Sequence, residues 1–491
     1  MQQEFYYLRE GAQLTLTGDV RVGIEVAMLR HEFDVQSPGV RSALKVLATR
    51  KASDDELLDL VVQADGDLAV MGWQKVLTQL TGAGFIARDL WAGDVHLYSV
   101  LPDAFPMVCD SIDVYSSSIV SLSRFAVVHQ VGGFLEIETP RSGWRIRIVE
   151  PALARVLVML AKPQTVKEQI GEGTCPELSA AEVSMFIELL ARCGMLAQHD
   201  SAAAPSSEAL SSALVEWSFH DLLFHQRSRI GRTQRPFGGT YRFVGTDVAP
   251  THLSRGDNPS SIALETPERN VGGRDQSFFE ILDSRRSTRE FDDENPLTIN
   301  ELGELLWRTT RLRASYEDDM GGVADRPYPS GGAVHELDIY PAVRVVDGLD
   351  PGLFRYEPAE NSLVPLARDT PEFRSWFAAV PPWPESGSLP QVTLVIAARF
   401  GRVMWKYEAM AYALMLKNVG VVMQTLYLAA TAMKLGGCAL GAGDSEGFSR
   451  LCAVDPYVES SVGEFALGRP ASNLSPRFSL EFEHSITKSS S

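Results

Sequence analysis

"YEAMAYALMLKNVGVVMQTLYLAATAMKLGG", Tyr407 to Gly437, decides how the C-terminal half of this chain folds. The stretch reads as one long helix with apolar side chains almost all round. Such a helix must be buried on every side. Where its own domain runs out of cover, a second copy of the chain can supply it. Working outward, "AVHELDIYPAVRVV" (333–346) and "LPQVTLVIAARF" (389–400) are rich in Val and Ile and read as strands. "EFALGRP" (464–470) reads as a last strand. "SFFEILDSRRS" (277–287) reads as a helix with Phe279 and Leu282 on one face. Helices interleaved with strands make the region from about Gln276 an α/β or α+β domain.

At 491 residues the chain is long enough for two or three domains. Its 45% hydrophobic and 22% charged residues suit globular units with real cores. The net charge of −18 argues against a nucleic-acid partner, whose phosphates demand cations. No run reaches the ~18 apolar residues of a membrane span, and the N-terminus shows no secretory signal. The five cysteines are scattered without a Cys-x-x-Cys, which fits a reducing cytoplasm and gives no zinc site. The nine histidines show no ligand spacing, so no metal site is expected.

The first 200 residues carry a weak internal repeat. Val46 and Leu47 correspond to Val156 and Leu157, 110 residues on. At the same offset Leu80, Gly84, Phe85 and Ile86 correspond to Leu190, Gly194, Met195 and Leu196. Ser53–Glu56 and Ser179–Glu182 both read Ser-x-x-Glu, a helix start. "GGFLEIETPRSGWRIRIVE" (132–150) alternates like a hairpin ahead of the second copy. A hairpin plus three helices, used twice, predicts tandem winged-helix-like units over 1–105 and 106–200. The second copy's "AAEVSMFIELLARCGMLA" has one Arg and two Glu, so DNA reading is disfavoured. Peptide addition to a strand edge and a purely scaffolding role both stay open. "QHDSAAAPSSEALSSA" (198–213) is small and polar, which predicts a linker over 201–215.

Four stretches could carry chemistry. In "DSRRSTREF" (283–291) three arginines, Arg285, Arg286 and Arg289, fall within five residues of an acidic chain. Guanidinium forks match phosphate oxygens, but a solvated helix end balanced by nearby acids explains the cluster equally well. "PSGG" (329–332) precedes a strand and permits positive φ and close approach of a flat ligand; alone it is a turn. "GGCALGAGD" (436–444) exposes backbone N–H groups, or simply caps the helix before it. Lys406 and Tyr407 fall where a strand has ended and the long helix begins. There a helix N-terminus and the arginines would favour a neutral lysine, fit to act as a base. The bland alternative is a surface lysine beside an interfacial tyrosine.

Taken in order, these stretches resemble a known family. "SRRSTREF" resembles the flavin-phosphate motif of nitroreductase-like flavoproteins, and "PSGGAVHELDIY", "GLFRYEP", "WKYEAMAY", "LYLAATAMKLGGCALGAGD" and "GEFALGRP" follow in that superfamily's order. "EWSFHDLLFHQRSRIGR" (216–232), with the Lys-Tyr pair, is similar to the SagB-type azoline dehydrogenases, including cyanobactin and thiopeptide oxidases. The paired N-terminal units look like the peptide-clamp-like domains of larger members. The resemblance runs from Glu216 to the C-terminus and implies an α+β nitroreductase-like FMN oxidase domain over 216–491.

It implies FMN as cofactor, with Arg285, Arg286, Ser287 and Arg289 on the phosphate and ribityl chain. Pro329, Ser330, Gly331 and Gly332 would line the cofactor. Leu440, Gly441 and Ala442 would run past the flavin N5 edge. Arg469 is a further phosphate candidate. Lys406 would act as the base and Tyr407 as its relay or orienter. The implied reaction oxidises thiazoline or oxazoline rings of a ribosomally made precursor peptide to thiazoles or oxazoles, with dioxygen as acceptor. A homodimer and a cyclodehydratase partner are implied too. Glu336 departs from the family, where Pro is frequent, and Ala442 stands where Gly is common. Two other readings stand beside this one: an NAD(P)H-linked nitro or quinone reductase, and a peptide-recruiting module with a vestigial flavin domain.

Overall fold

The computed structural model describes residues 2–26, 29–103, 111–171, 175–233, 236–245, 259–267, 276–316, 320, 322–380 and 389–471. Cys109 lies outside them. The other four cysteines are free thiols. The chain divides into two compact units, Met1–Phe237 and Gly238–Ser491.

The first unit shows its repeat in the order of its elements. Strand Gln2–Leu8, the meander Gln13–Thr17, Arg21–Val26 and Leu29–Asp34, helix Pro38–Thr49, strand Ala52–Ser53, helices Asp54–Asp65 and Val70–Gly82, and strand Ile86–Ala92 form one copy. Strand Ile119–Leu122, the meander Val127–Val131, Phe134–Glu138 and Trp144–Ile148, helix Ala152–Met159, strand Gln164–Thr165, helices Val166–Ile170 and Ala180–Arg192, and strand Leu196–His199 form the other. In both copies the first strand lies between the short strand and the last one. Each meander has three strands where the sequence pattern suggested a hairpin. Both predicted helix starts form: Ser53 accepts from Glu56 N–H at 3.2 Å, and Ser179 and Glu182 make a complete capping box. They start different helices of the repeat. The counterpart of Ser53 is Thr165, which caps with Glu168.

Two expectations for residues 201–237 need correcting. The stretch taken for a linker holds a short helix, Ser207–Leu210, and Glu208 is only 2% exposed. Its carboxylate accepts from Ser123 Oγ and Arg141 Nη1 at 2.5 Å each, and from Arg124 N–H at 3.0 Å. A buried carboxylate with three donors anchors a segment, however small and polar its neighbours. Likewise Glu216–Phe237 falls in the first unit, although its motif suggested the flavin domain. Arg227 on helix Phe219–Arg227 pairs with Glu138 and, at 3.1 Å, with Asp103.

The second unit is built on an antiparallel sheet of seven strands. The order is Ile262–Ala263, Ser362–Arg368, Gly352–Glu357, Leu337–Val343, Val392–Arg399, Glu459–Gly468, Gly436–Leu440. Alternate residues face opposite sides. Ile339, Leu394 and Ile396 meet helices Ile299–Thr310 and Ala411–Ala432, whereas Tyr340, Val395 and Ala397 meet Phe373, Trp376, Phe377 and Phe448. The predicted α+β architecture is therefore observed, with both sheet faces covered.

The long helix differs from expectation in two ways. It spans Ala411–Ala432, and a separate helix, Phe400–Lys406, ends before it. Its burial is one-sided, through Ala411, Met415, Asn418, Val419, Val422, Leu426 and Ala430. Burying each large apolar side chain contributes roughly 1.5–3 kcal/mol. Tyr412 (41%) and Leu416 (39%) remain exposed, as do Phe278 (67%), Phe279 (71%) and Leu282 (43%) on helix Phe278–Ser284. Among the described residues it is also the one helix long and apolar enough on average to cross a membrane, although Lys417, Asn418 and Gln424 interrupt any continuous apolar run, as expected. Its hydropathy is an average over Ala, Gly and Thr as well as larger side chains, and its buried stripe packs on the sheet.

Candidate active site

Helix Phe278–Ser284 ends before the arginines. Arg285 is its C-cap with ψ 126°, and the chain then runs extended, Thr288 N–H donating to Gly437 O at 2.9 Å. Arg285 and Arg289 therefore do not share a helix face. Arg285 and Arg286 line a cleft of about 590 Å³ together with Thr288, Thr431 and Lys434. Three cations on one open cleft, which Asp283 also lines, fit a phosphate, while the Thr431 hydroxyl already donates to Tyr427 O at 2.8 Å. Ser287 and Arg289 follow on the same run and are exposed.

Tyr427, which sequence reasoning missed, holds this run in place. Its hydroxyl bonds Ser287 Oγ at 2.8 Å and accepts from Ala439 N–H at 2.8 Å. Its ring lies 5.2 Å from the Arg285 guanidinium. One side chain from the long helix therefore ties the arginine run to strand Gly436–Leu440. We expect Tyr427→Phe, which keeps the ring, to lose about 1–2 kcal/mol of stability by stranding the Ala439 N–H. Urea unfolding checks this, and an unchanged midpoint would mean water replaces the hydroxyl.

Arg469 leaves the phosphate set. Its guanidinium pairs with both oxygens of Glu301 at 2.7 and 2.8 Å and donates to Asn295 O at 3.0 Å. It lines a different cleft, with Glu294, Pro296 and Asp347. A bidentate carboxylate partner leaves little of its charge for an anion.

Two of the remaining motifs converge. Gly332 has φ +64°, and a Cβ there would stand 2.2 Å from the Tyr407 hydroxyl and 3.0 Å from Lys406 Nζ. Lys406 Nζ donates to Gly332 O at 3.3 Å. Gly331 likewise leaves no room, its Cβ position falling 2.6 Å from Leu414. The Pro329–Gly332 loop and the Lys-Tyr pair are thus one site. Lys406 reaches it from the last turn of its helix, so the reasoning from a helix N-terminus does not apply. Tyr407 pairs with Gly239, and the following Tyr241 places its ring 5.4 Å from Lys406 Nζ. Sequence reasoning missed Tyr241; the Gly-Gly before it was the available signal. Leu440 is buried, while Gly441 and Ala442 are exposed at the end of their strand. Behind them Gly443 makes room for the buried Glu464 carboxyl, which burial and Asp444 hold above the usual range.

Beside the loop, His335 is 3% exposed with φ +48°. Burial, together with the charges of Arg326 and Arg402, pushes its pKa down to about 4. Above pH 6.5 it is neutral both folded and unfolded. Between 6.5 and 4 the unfolded chain takes up the proton and the folded one does not, so stability falls as pH falls. The loss approaches about 3 kcal/mol by pH 4. His335→Asn, which tolerates positive φ, should unfold with a smaller pH slope over that window. Equal slopes in denaturant titrations would remove His335 as the cause.

Both clusters hang on the helix Ala411–Ala432: Asn418 lies under the loop and Tyr427 under the arginine run, roughly 14 Å apart at 1.5 Å per residue. A cationic cleft at one end and a glycine cradle at the other suit a flat ring carrying a phosphate tail. Residues 282–469 match the family model "Nitroreductase family", and residues 120–234 match "Cyanobactin oxidase ThcOx". The nitroreductase MJ1384 of Methanocaldococcus jannaschii is 31% identical over 174 residues, 33% of this chain and 77% of that protein. The chain belongs to the nitroreductase family and is an oxidoreductase of that class, and the segment that matches the cyanobactin-oxidase model precedes the nitroreductase region in sequence. The microcin B17-processing protein McbC of Escherichia coli is 27% identical over 173 residues, 32% of this chain and 60% of McbC. Among solved structures, the E. coli microcin synthetase McbBCD complex with truncated pro-MccB17 bound aligns at a TM-score of 0.34 and 17% identity, over 50% of this chain and 91% of that one. A nitroreductase from Anabaena variabilis aligns at 0.37 and 17%, over 84% and 91%.

Proposed function

We propose that the chain dehydrogenates thiazoline or oxazoline rings in a ribosomally made peptide, using FMN. The observation that carries this reading is the convergence of Lys406 and Tyr407 on the Gly332 cradle. A general nitro-compound reductase would not require a base placed there. Arg285, Arg286 and Lys434 would hold the FMN phosphate, and Ser287 and Arg289 its ribityl tail. The Pro329–Gly332 loop and Leu440–Ala442 would line the ring.

FMN would supply the acceptor for the hydride that leaves the adjacent ring carbon, with dioxygen as the final oxidant. The protein's part is proton transfer and placement. The ring Cα–H is acidified by its carbonyl and imine neighbours. Lys406 removes that proton, and Tyr407 orients the ammonium or relays the proton outward. Tyr241 lies beside Lys406, its ring 5.4 Å from Nζ. The kinship of residues 120–234 to a cyanobactin oxidase, and the McbC match, support a peptide substrate and a cyclodehydratase partner.

The exposed apolar residues Phe278, Phe279, Leu282, Tyr412 and Leu416 support a homodimer, which would cover the free side of the long helix. The free thiols and the absence of a Cys-x-x-Cys support a cytoplasmic location. The test is to incubate FMN-loaded protein with an azoline-bearing peptide. A mass loss of ~2 Da per ring, a hydride plus a proton, is expected. NAD(P)H-driven nitroaromatic reduction without that loss would defeat the proposal.

A further inference from the structure

Beneath the Ser330–Gly332 loop lies a polar cluster that this reaction does not use. Glu336 is 0% exposed and Asn418 is 4% exposed. Asn418 Nδ2 donates one hydrogen to Glu336 Oε1 at 2.9 Å and the other to Ser330 Oγ at 3.2 Å. Asn418 Oδ1 accepts from Gly331 N–H at 3.2 Å. Ser330 Oγ accepts from His335 N–H at 3.1 Å and donates to Glu336 Oε2 at 3.3 Å. A hydroxyl has one hydrogen and two lone pairs, and here all are used. The direction of every bond is then set, and both Glu336 oxygens must accept.

We propose that Glu336 and Asn418 are positioning residues, whose directed network holds the Gly331–Gly332 backbone and thereby sets where the Lys406–Tyr407 pair stands. The inference rests on the reading of that pair as the active site. The link is short. Asn418 grips the Gly331 N–H, and the carbonyl of the following residue, Gly332, accepts from Lys406. A shifted loop would also close the space above Gly332, because Tyr407 already fills it.

Glu336→Gln tests the directions. It places an NH₂ group where only acceptors fit, facing either the Asn418 amide or the Ser330 hydroxyl. Adding Asn418→Asp reverses the second partner. The new amide then donates to the new carboxylate, Gly331 keeps its acceptor, and net charge matches the wild type. Glu336→Gln should weaken FMN binding about tenfold and speed deuterium exchange at the Gly331 amide of flavin-free protein by a similar factor. The double variant should return to within about threefold of wild type on both. A single variant indistinguishable from wild type, or a double no better than the single, overturns the proposal.

Should Glu336→Gln not fold, the double variant decides alone. Folded with a protected Gly331 it supports the network, and unfolded it defeats it. Gly331 exchange needs neither flavin nor azoline. A wild-type protein inert toward azoline peptides would therefore sink the proposed reaction and leave this test standing.

Discussion

Lys406→Met should give a folded, yellow protein whose turnover of an azoline peptide falls by about a hundred- to ten-thousand-fold, the usual worth of a general base. Methionine keeps the length and much of the volume. The Gly332 carbonyl loses one donor at 3.3 Å, and the cradle beneath it stays held by Asn418. FMN affinity should change little, because the arginine cleft lies at the other end of the long helix. The measurement is kcat against pH, with flavin content read from the visible spectrum. A variant that keeps full activity with full FMN would end the assignment of Lys406 as base. Tyr407→Phe should cost less, because it removes an orienter and leaves the amine.

The second large effect is on the cofactor. Arg285→Ala with Arg286→Ala should weaken FMN binding by about a hundred- to ten-thousand-fold, since each charge-assisted bond contributes roughly 1.5–3 kcal/mol. The protein should purify colourless and recover most of its activity at saturating FMN, because the cleft grips the cofactor and takes no part in proton transfer. Arg286→Ala alone separates binding from packing, as it is Arg285 that lies over the Tyr427 ring. A double variant that stays yellow after extensive dilution would place the phosphate elsewhere.

Much of the second unit was legible because strands buried on two faces leave a simple signal. Leu337–Val343 and Val392–Arg399 pair through seven consecutive residues, where Val and Ile had marked them. Helix starts were legible because capping is local. What escaped depends on partners far along the chain. The predicted helix from Tyr407 breaks at Ala409, with φ +60°, because Tyr407 and Glu408 pair with Gly239 and Gly238. Nothing within ten residues announces that pairing. Arg469 sat in a motif beside a strand end, yet its partner Glu301 is 168 residues away. Glu208 looked like linker because composition does not reveal that Ser123 and Arg141 wait for it. The site motifs themselves were visible. Their convergence was not, since spacing carries no information on which loops share a helix.

The repeat in the first unit has a consequence for its history. The two copies keep separate cores, one around Leu44 and Trp73, the other around Leu153 and Phe186. Yet strand Val95–Pro102 pairs with Ile86–Ala92 on one side and with Trp144–Ile148 on the other. A duplication that merely strung two modules on a tether would leave each free to be lost, swapped or shuffled. Here the copies are grafted. Removing either one bares a strand edge on the survivor, and bare edges recruit other chains. The two copies therefore stand or fall as a single piece, each holding an edge that the other would otherwise expose.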